Sequence, residues 1–258
     1  MKKFLKYIVL LILISSAMAD LKKEEIEYKH GDVTLKGYLV YDGLLKSKRP
    51  GILVIHEWWG HNEYARIRAD QLAEMGYIVF ALDMYGKGIL AETSEEASEL
   101  AGQFYENRQL MRDRAAKGLE ILINNKRTDT NHIAVIGFCF GGTAALELAR
   151  SGAVISGAVS FHGGLSTPNK EDANNIRCPV LVLHGGDDPH VGAEEVAAFQ
   201  EEMRNAGVDW QMQIFGNAVH SFTNPKTGTD NSKGSAYNAK AFYRSWSAMK
   251  FFFDEIFR

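Results

Sequence analysis

Two hydrophobic patterns run along this chain. Over 24–30 and 33–40, apolar and polar residues alternate around His30-Gly31-Asp32. That period of two predicts a half-buried antiparallel hairpin at a sheet edge. Afterwards the alternation gives way to short, continuously apolar runs at 51–55, 77–82, 133–138, 155–161, 180–184 and 211–215. Runs of that length without alternation predict strands buried on both faces. Helix-like segments separate them, at about 62–75, 94–124 (with a candidate break at Gly102), 142–151, 192–206 and 235–256. Strand and helix in alternation predict a mainly parallel sheet covered on both sides. Eight strands in this order suit an α/β-hydrolase-like fold.

The first 19 residues break the pattern. Lys2, Lys3 and Lys6 precede an apolar stretch at 7–14, and Ala17-Met18-Ala19 fits a small-x-small cleavage site. This reads as a secretory signal, too short to span a bilayer, which takes about 20 residues. Cleavage after Ala19 leaves 239 residues, a length that suits one α/β domain over 20–258. The expected location is periplasmic or secreted, with no stable membrane anchor after cleavage. Hydrophobic residues make up 46% of the chain, enough for a full core, and the net charge of −3 becomes −6 without the three leader lysines. With no basic cluster, nucleic acid is not an expected partner.

The two cysteines change the picture further. Cys139 follows the apolar run that begins at Ile133, and Cys178 precedes the run that begins at Val180. In a parallel sheet these positions lie at opposite ends of their strands, about 15–20 Å apart at ~3.3 Å per residue. A disulfide needs Cα atoms within about 7 Å. Cys139 therefore reads as a free thiol, and Cys178 as a core residue.

Cys139 also sits in Gly137-Phe138-Cys139-Phe140-Gly141-Gly142, between a strand-like run and a helix-like one. This is the G-x-Nuc-x-G pattern of a nucleophile elbow, with cysteine as nucleophile. The sharp turn strains the nucleophile's backbone, and glycines two residues away leave room for it. The following helix start can stabilise a thiolate and an oxyanion. A base and an orienting acid are required in addition. His220 follows the last strand-like run, and Asp187-Asp188 follows the run 180–184. The order nucleophile, acid, histidine is that of α/β-hydrolases. The spacings are 49 and 32 residues, leaving room for the intervening strand–helix units. Residues alone leave Asp187 and Asp188 both open. His56, His162 and His184 end strands and read as packed neighbours; His30 and His61 read as solvated loop residues. His56-Glu57…His61 has i,i+5 spacing on a strand exit, not the i,i+4 helical spacing of zinc ligands. No metal or cofactor is expected. The loop bearing Glu57-Trp58-Trp59 is placed to supply an oxyanion N–H from Trp58, beside that of Phe140. Trp59 fits either a pocket wall or plain packing.

The segments His56-Glu57-Trp58-Trp59-Gly60, Asp83-Met84-Tyr85-Gly86, the cysteine elbow, Gly186-Asp187-Asp188-Pro189-His190-Val191 and His220-Ser221-Phe222 together resemble the dienelactone hydrolase (carboxymethylenebutenolidase) family of α/β-hydrolases. The resemblance runs from about Glu27 to the C-terminus. It implies Cys139, Asp188 and His220 as the triad, Asp188 because it stands three residues before Val191. It implies Glu57 as a carboxyl linked to thiol activation. It implies a small ester or lactone as substrate, with Trp59, Tyr85, Lys87 and Phe222 near it. The family's substrate-binding arginines are replaced by Lys87 and Asn224. The expected function is hydrolysis through a thioester acyl-enzyme. A general carboxylesterase or thioesterase, and a non-catalytic binding protein of the same fold, are the alternatives. A redox role is disfavoured because no C-x-x-C is present.

Overall fold

The computed structural model describes residues 19–258; the expected leader lies, except for Ala19, outside the described residues. Eight strands form one sheet: β1 (Leu21–His30), β2 (Val33–Asp42), β3 (Arg49–Ile55), β4 (Ile78–Leu82), β5 (Thr128–Phe138), β6 (Gly157–Phe161), β7 (Val180–Gly185) and β8 (Trp210–Phe215). Their order is β1-β2-β4-β3-β5-β6-β7-β8. β1 pairs antiparallel with β2, and β2 antiparallel with β4, while every later pairing is parallel. The sheet is therefore an α/β-hydrolase sheet with its hairpin at one edge.

The unbroken apolar runs have a simple cause. On β3, Leu53 and Ile55 join the core on one face, while Ile52 and Val54 join the core on the other. Phe80 and Leu82 alternate with Val79 and Ala81 on β4 in the same way. Both faces are covered, so neither parity tolerates a polar residue. Helices α1 (Glu63–Glu74) and α6 (Ala239–Ile256) cover one face; α3 (Arg108–Ile123) and α4 (Phe140–Arg150) cover the other. α2 (Ser94–Glu106) packs on α3, and α5 (Ala193–Asn205) closes a third apolar cluster with β7 and α4.

Strands β1 and β5 start earlier than expected, at Leu21 and Thr128, and two helix boundaries also differ. The 94–124 segment divides at Asn107, not Gly102. Asn107 is an unwound residue whose side chain accepts from the Leu110 N–H and so starts α3. Gly102 stays helical within α2. The last helix starts at Ala239, after the cap of Asn238, whose side chain accepts from the Ala241 N–H.

The sheet order sends β4 to one side of β3 and β5 to the other. The ends of β3 and β5 thus form a switch point, where α/β sheets open a crevice. Helix α4 springs from this point and is buried along its whole length.

Candidate active site

Five strand ends supply the site. β3 runs into His56 and Glu57, β5 into Cys139, β6 into His162, β7 into Asp188, and β8 into His220.

Cys139 has φ +55° and ψ −120°, the strained turn expected of an elbow nucleophile. The glycines permit it. A Cβ on Gly137 would lie 1.8 Å from the Gly141 carbonyl oxygen, and one on Gly142 would lie 2.6 Å from Ser160 Oγ. Phe140 is the first residue of α4, so its N–H has no partner within the helix. The Trp58 N–H donates to no described residue either. The Trp58 carbonyl is held by Tyr85 Oη at 3.0 Å, which fixes the orientation of that loop. Tyr85 owes its own position to Asp83, whose Oδ1 accepts the Tyr85 and Gly86 N–H groups at 2.9 and 3.0 Å. The Asp-x-Tyr-Gly segment is thus a carboxylate-capped turn behind the site.

His220 joins the other two residues. Its Nε2 lies 3.0 Å from Cys139 Sγ, and its Nδ1 lies 2.8 Å from Asp188 Oδ2. The second Asp188 oxygen accepts the His190 N–H at 2.9 Å. Asp188 is buried and Asp187 is exposed, and of the two only Asp188 bonds to His220. Burial works against the Asp188 anion, but the His220 hydrogen bond and charge outweigh it and hold the carboxyl below its ordinary range. Burial likewise opposes charge on His220, yet the Cys139 sulfur and Asp188 raise it well above its ordinary range. The His220 backbone is clamped by Gly234 and Ala236, which fold back from the loop after it.

Glu57 is 2% exposed, and its carboxyl accepts from Asn224 Nδ2 at 2.7 Å and from Ser221 Oγ at 3.4 Å. Burial raises its pKa, against the pull of these donors. Asn224 therefore has a definite task here: it holds Glu57.

The four side chains expected near substrate separate. Trp59 is half-buried, edge-on to Trp58 at 5.2 Å between ring centroids. Tyr85 is buried behind the Trp58 loop. Phe222 is fully buried against His162 and Phe215, so it is a core residue and not a cleft wall. Lys87 pairs with Glu27 of β1 at 2.5 Å and makes no contact with the triad. The resemblance implied a substrate role for both; packing puts Phe222 in the core and turns Lys87 toward β1. His61 is also corrected. It is 8% exposed, not solvated, and burial drives its pKa down to about 3.

The structure adds neighbours that no local pattern marked. Tyr105 of α2 packs edge-on against Phe140 at 5.9 Å, and its hydroxyl lies 3.5 Å from Thr143 Oγ1. A groove of about 880 Å³ runs from Trp58 along α2, bordered by Glu95, Glu99, Gln103 and Glu106. No cluster able to hold a metal ion occurs among the described residues.

Comparison with known proteins supplies the family. The model of the dienelactone hydrolase family matches residues 35–257. Protein usf of Aquifex pyrophilus is 31% identical over 206 residues, covering 78% of this chain and 87% of that one. The solved structure m3DLH is 42% identical with a TM-score of 0.88, covering 92% of this chain and 98% of the other. A dienelactone hydrolase-like promiscuous phosphotriesterase from metagenomic libraries is 40% identical with a TM-score of 0.87, over the same shares. The chain belongs to the dienelactone hydrolase family, α/β-hydrolases that act on carboxylic ester or lactone bonds.

Proposed function

We propose that the protein is an exported ester or lactone hydrolase that works through a thioester on Cys139. The carrying observation is the relay of Cys139 Sγ, His220 and Asp188 at 3.0 and 2.8 Å. His220 Nε2 takes the thiol proton as sulfur attacks the substrate carbonyl. The N–H groups of Phe140 and Trp58 receive the developing oxyanion. Collapse breaks the C–O bond, and the leaving alkoxide takes the proton from Nε2. Water then attacks the thioester while Nε2 accepts its proton, releasing the acid and restoring the thiol. Asp188 keeps the Nδ1 proton in place and favours the imidazolium formed in each half. Glu57, a buried carboxyl beside the His220 loop, assists thiol ionisation.

Export rests on the leader pattern. Asp20 is tied to the sheet, with its N–H on Asp42 Oδ1 and its carbonyl accepting from the Gly43 N–H. A cut after Ala19 therefore leaves these anchors in the mature chain.

The test is hydrolysis of short p-nitrophenyl esters and lactones by residues 20–258. Cys139→Ala is expected to lower kcat/KM by about 10⁴-fold or more, as loss of a nucleophile does elsewhere. Acid-quenched mixtures with a slow ester should show one acyl adduct by mass, on Cys139 and removable by hydroxylamine. Equal turnover in both proteins would refute the reading, and no turnover in either would favour the binding-protein alternative.

A further inference from the structure

His162 sits at φ +40°, in the left-handed region, directly before Gly163 and Gly164. Glycine adopts such a φ without strain, and histidine does not. The imidazole must therefore contribute something that glycine lacks.

The ring is fully buried and bonded at both nitrogens. Nδ1 lies 3.2 Å from the Cys139 backbone N, whose N–H also reaches the Phe161 carbonyl at 3.0 Å. Nε2 lies 2.7 Å from Thr223 Oγ1. A backbone N–H can only donate, so Nδ1 is the bare nitrogen and Nε2 carries the proton, donating it to Thr223. Burial and the nearby His220 hold His162 far below its ordinary titration range, so it stays neutral. The Thr223 hydroxyl lies 2.6 Å from Tyr64 Oη, and the Thr223 carbonyl accepts from Arg68. Thr223 follows His220 by three residues on the same loop. One ring thus joins the peptide of the cysteine to the segment that carries the histidine. It stands behind the pair, its centroid 5.3 Å from that of His220.

We propose that His162 is a positioning residue that clamps the cysteine elbow to the His220 loop, with Thr223 selecting the tautomer that lets it do so. The proposal rests on the reading of Cys139 and His220 as nucleophile and base. It extends that reading to a residue that touches neither substrate nor the reacting atoms.

Thr223→Val is the discriminating change. It is nearly isosteric, but it removes the acceptor of the Nε2 proton. The ring is then free to move that proton to Nδ1, where it opposes the Cys139 N–H. Iodoacetamide alkylation of Cys139 at mildly acidic pH should fall by about 10–10²-fold, the scale of a small misplacement of reacting groups. The deficit should shrink at alkaline pH, where a thiol ionises without help from the imidazole. The kcat for ester hydrolysis should fall in parallel with little change in KM. Thr223→Ser restores the acceptor and should restore the pH profile. Tyr64→Phe removes the other partner of the same buried hydroxyl and should leave the profile as in wild type. The remaining ionisable groups that face the Cys139–His220 pair are Asp188, His184, His190, Glu57, Tyr85 and Tyr105, and none of these variants alters them.

A wild-type profile in Thr223→Val, or an equal shift in Tyr64→Phe, would overturn the proposal. A wild-type protein with no accelerated alkylation and no ester hydrolysis would overturn the underlying reading and the proposal with it. That outcome is distinct from a reactive thiol indifferent to Thr223.

Discussion

Among the described residues, three of the four non-glycine residues with positive φ, Cys139, His162 and Ser221, surround the site. Strain of this kind persists only where surrounding bonds over-determine it. At the same scale, the two adjacent aspartates make opposite predictions. Asp188→Asn should lower kcat by about 10²–10⁴-fold, because an amide permits the wrong imidazole tautomer. Asp187→Asn, at an exposed position, should leave kcat within about twofold. Steady-state kinetics on one ester checks both. Glu57 makes a prediction with a definite sign. Its pKa is raised in the folded state, so the unfolded chain ionises first as pH rises above 4.5 and folding loses stability. Glu57→Gln keeps an acceptor for Asn224 and has no charge to bury. Near pH 4 the two proteins should unfold at similar urea concentrations, and the variant should become the more stable as pH rises to neutrality. A gap that narrows over that range would contradict a buried, raised carboxyl.

At the scale of elements, helix α4 carries the argument. It holds two ionisable residues that are wholly buried, Glu147 and Arg150. Arg150 pairs with Glu202 of α5 at 2.8 Å and with Glu147 at 3.1 Å, and it donates to the Leu165 carbonyl. Arg112 of α3 joins Glu147 to Asp172. The helix that follows Cys139 is thereby tied to both neighbouring helices. Arg150→Met would leave Glu202 buried without its counter-ion and should cost about 3–5 kcal/mol in urea unfolding. Gly137→Ala tests the elbow itself. Its Cβ would fall 1.8 Å from backbone of the same turn, which no side-chain shift can relieve. A loss above about 4 kcal/mol, or no folded protein, is expected.

At the scale of the whole molecule, sheet topology keeps the two thiols apart. Phe138, Phe161 and Leu183 are neighbours at one end of the sheet; Ala134, Gly157 and Ala158, with Val180, lie three or four residues away at the other. Cys139 and Cys178 flank opposite ends, and both are free. A chromogenic disulfide should titrate one thiol in native protein of residues 20–258 and two in denaturant. Cys178 lags because it is buried, with its pKa pushed up to about 12. The charge of the groove along α2 sets a second expectation, if substrate approaches by the Trp58 side. The groove beside Trp58 is lined by three glutamates and no cation, and Lys87 is neutralised by Glu27. Neutral esters should be hydrolysed about tenfold faster than acidic esters of similar size, a steering effect that salt should reduce. Lys87→Ala should leave that ratio unchanged.

Much of this was legible without coordinates, and the reason is locality. An apolar run at 133–138 followed by Gly-x-Cys-x-Gly-Gly encodes a strand, a tight turn and a helix start within ten residues, because sterics and periodicity act between near neighbours. The order of the strand-like runs likewise announced a parallel sheet with a hairpin edge. What the tertiary structure decided was which side chains face one another across it. Packing set Asp188, not Asp187, against His220, placed Phe222 in the core, turned Lys87 toward Glu27 of β1 and gave Asn224 to Glu57. It also joined His162 to a threonine 61 residues away. Such pairings depend on how strands stack and which loops fold back over their ends, and no window of neighbouring residues contains that information.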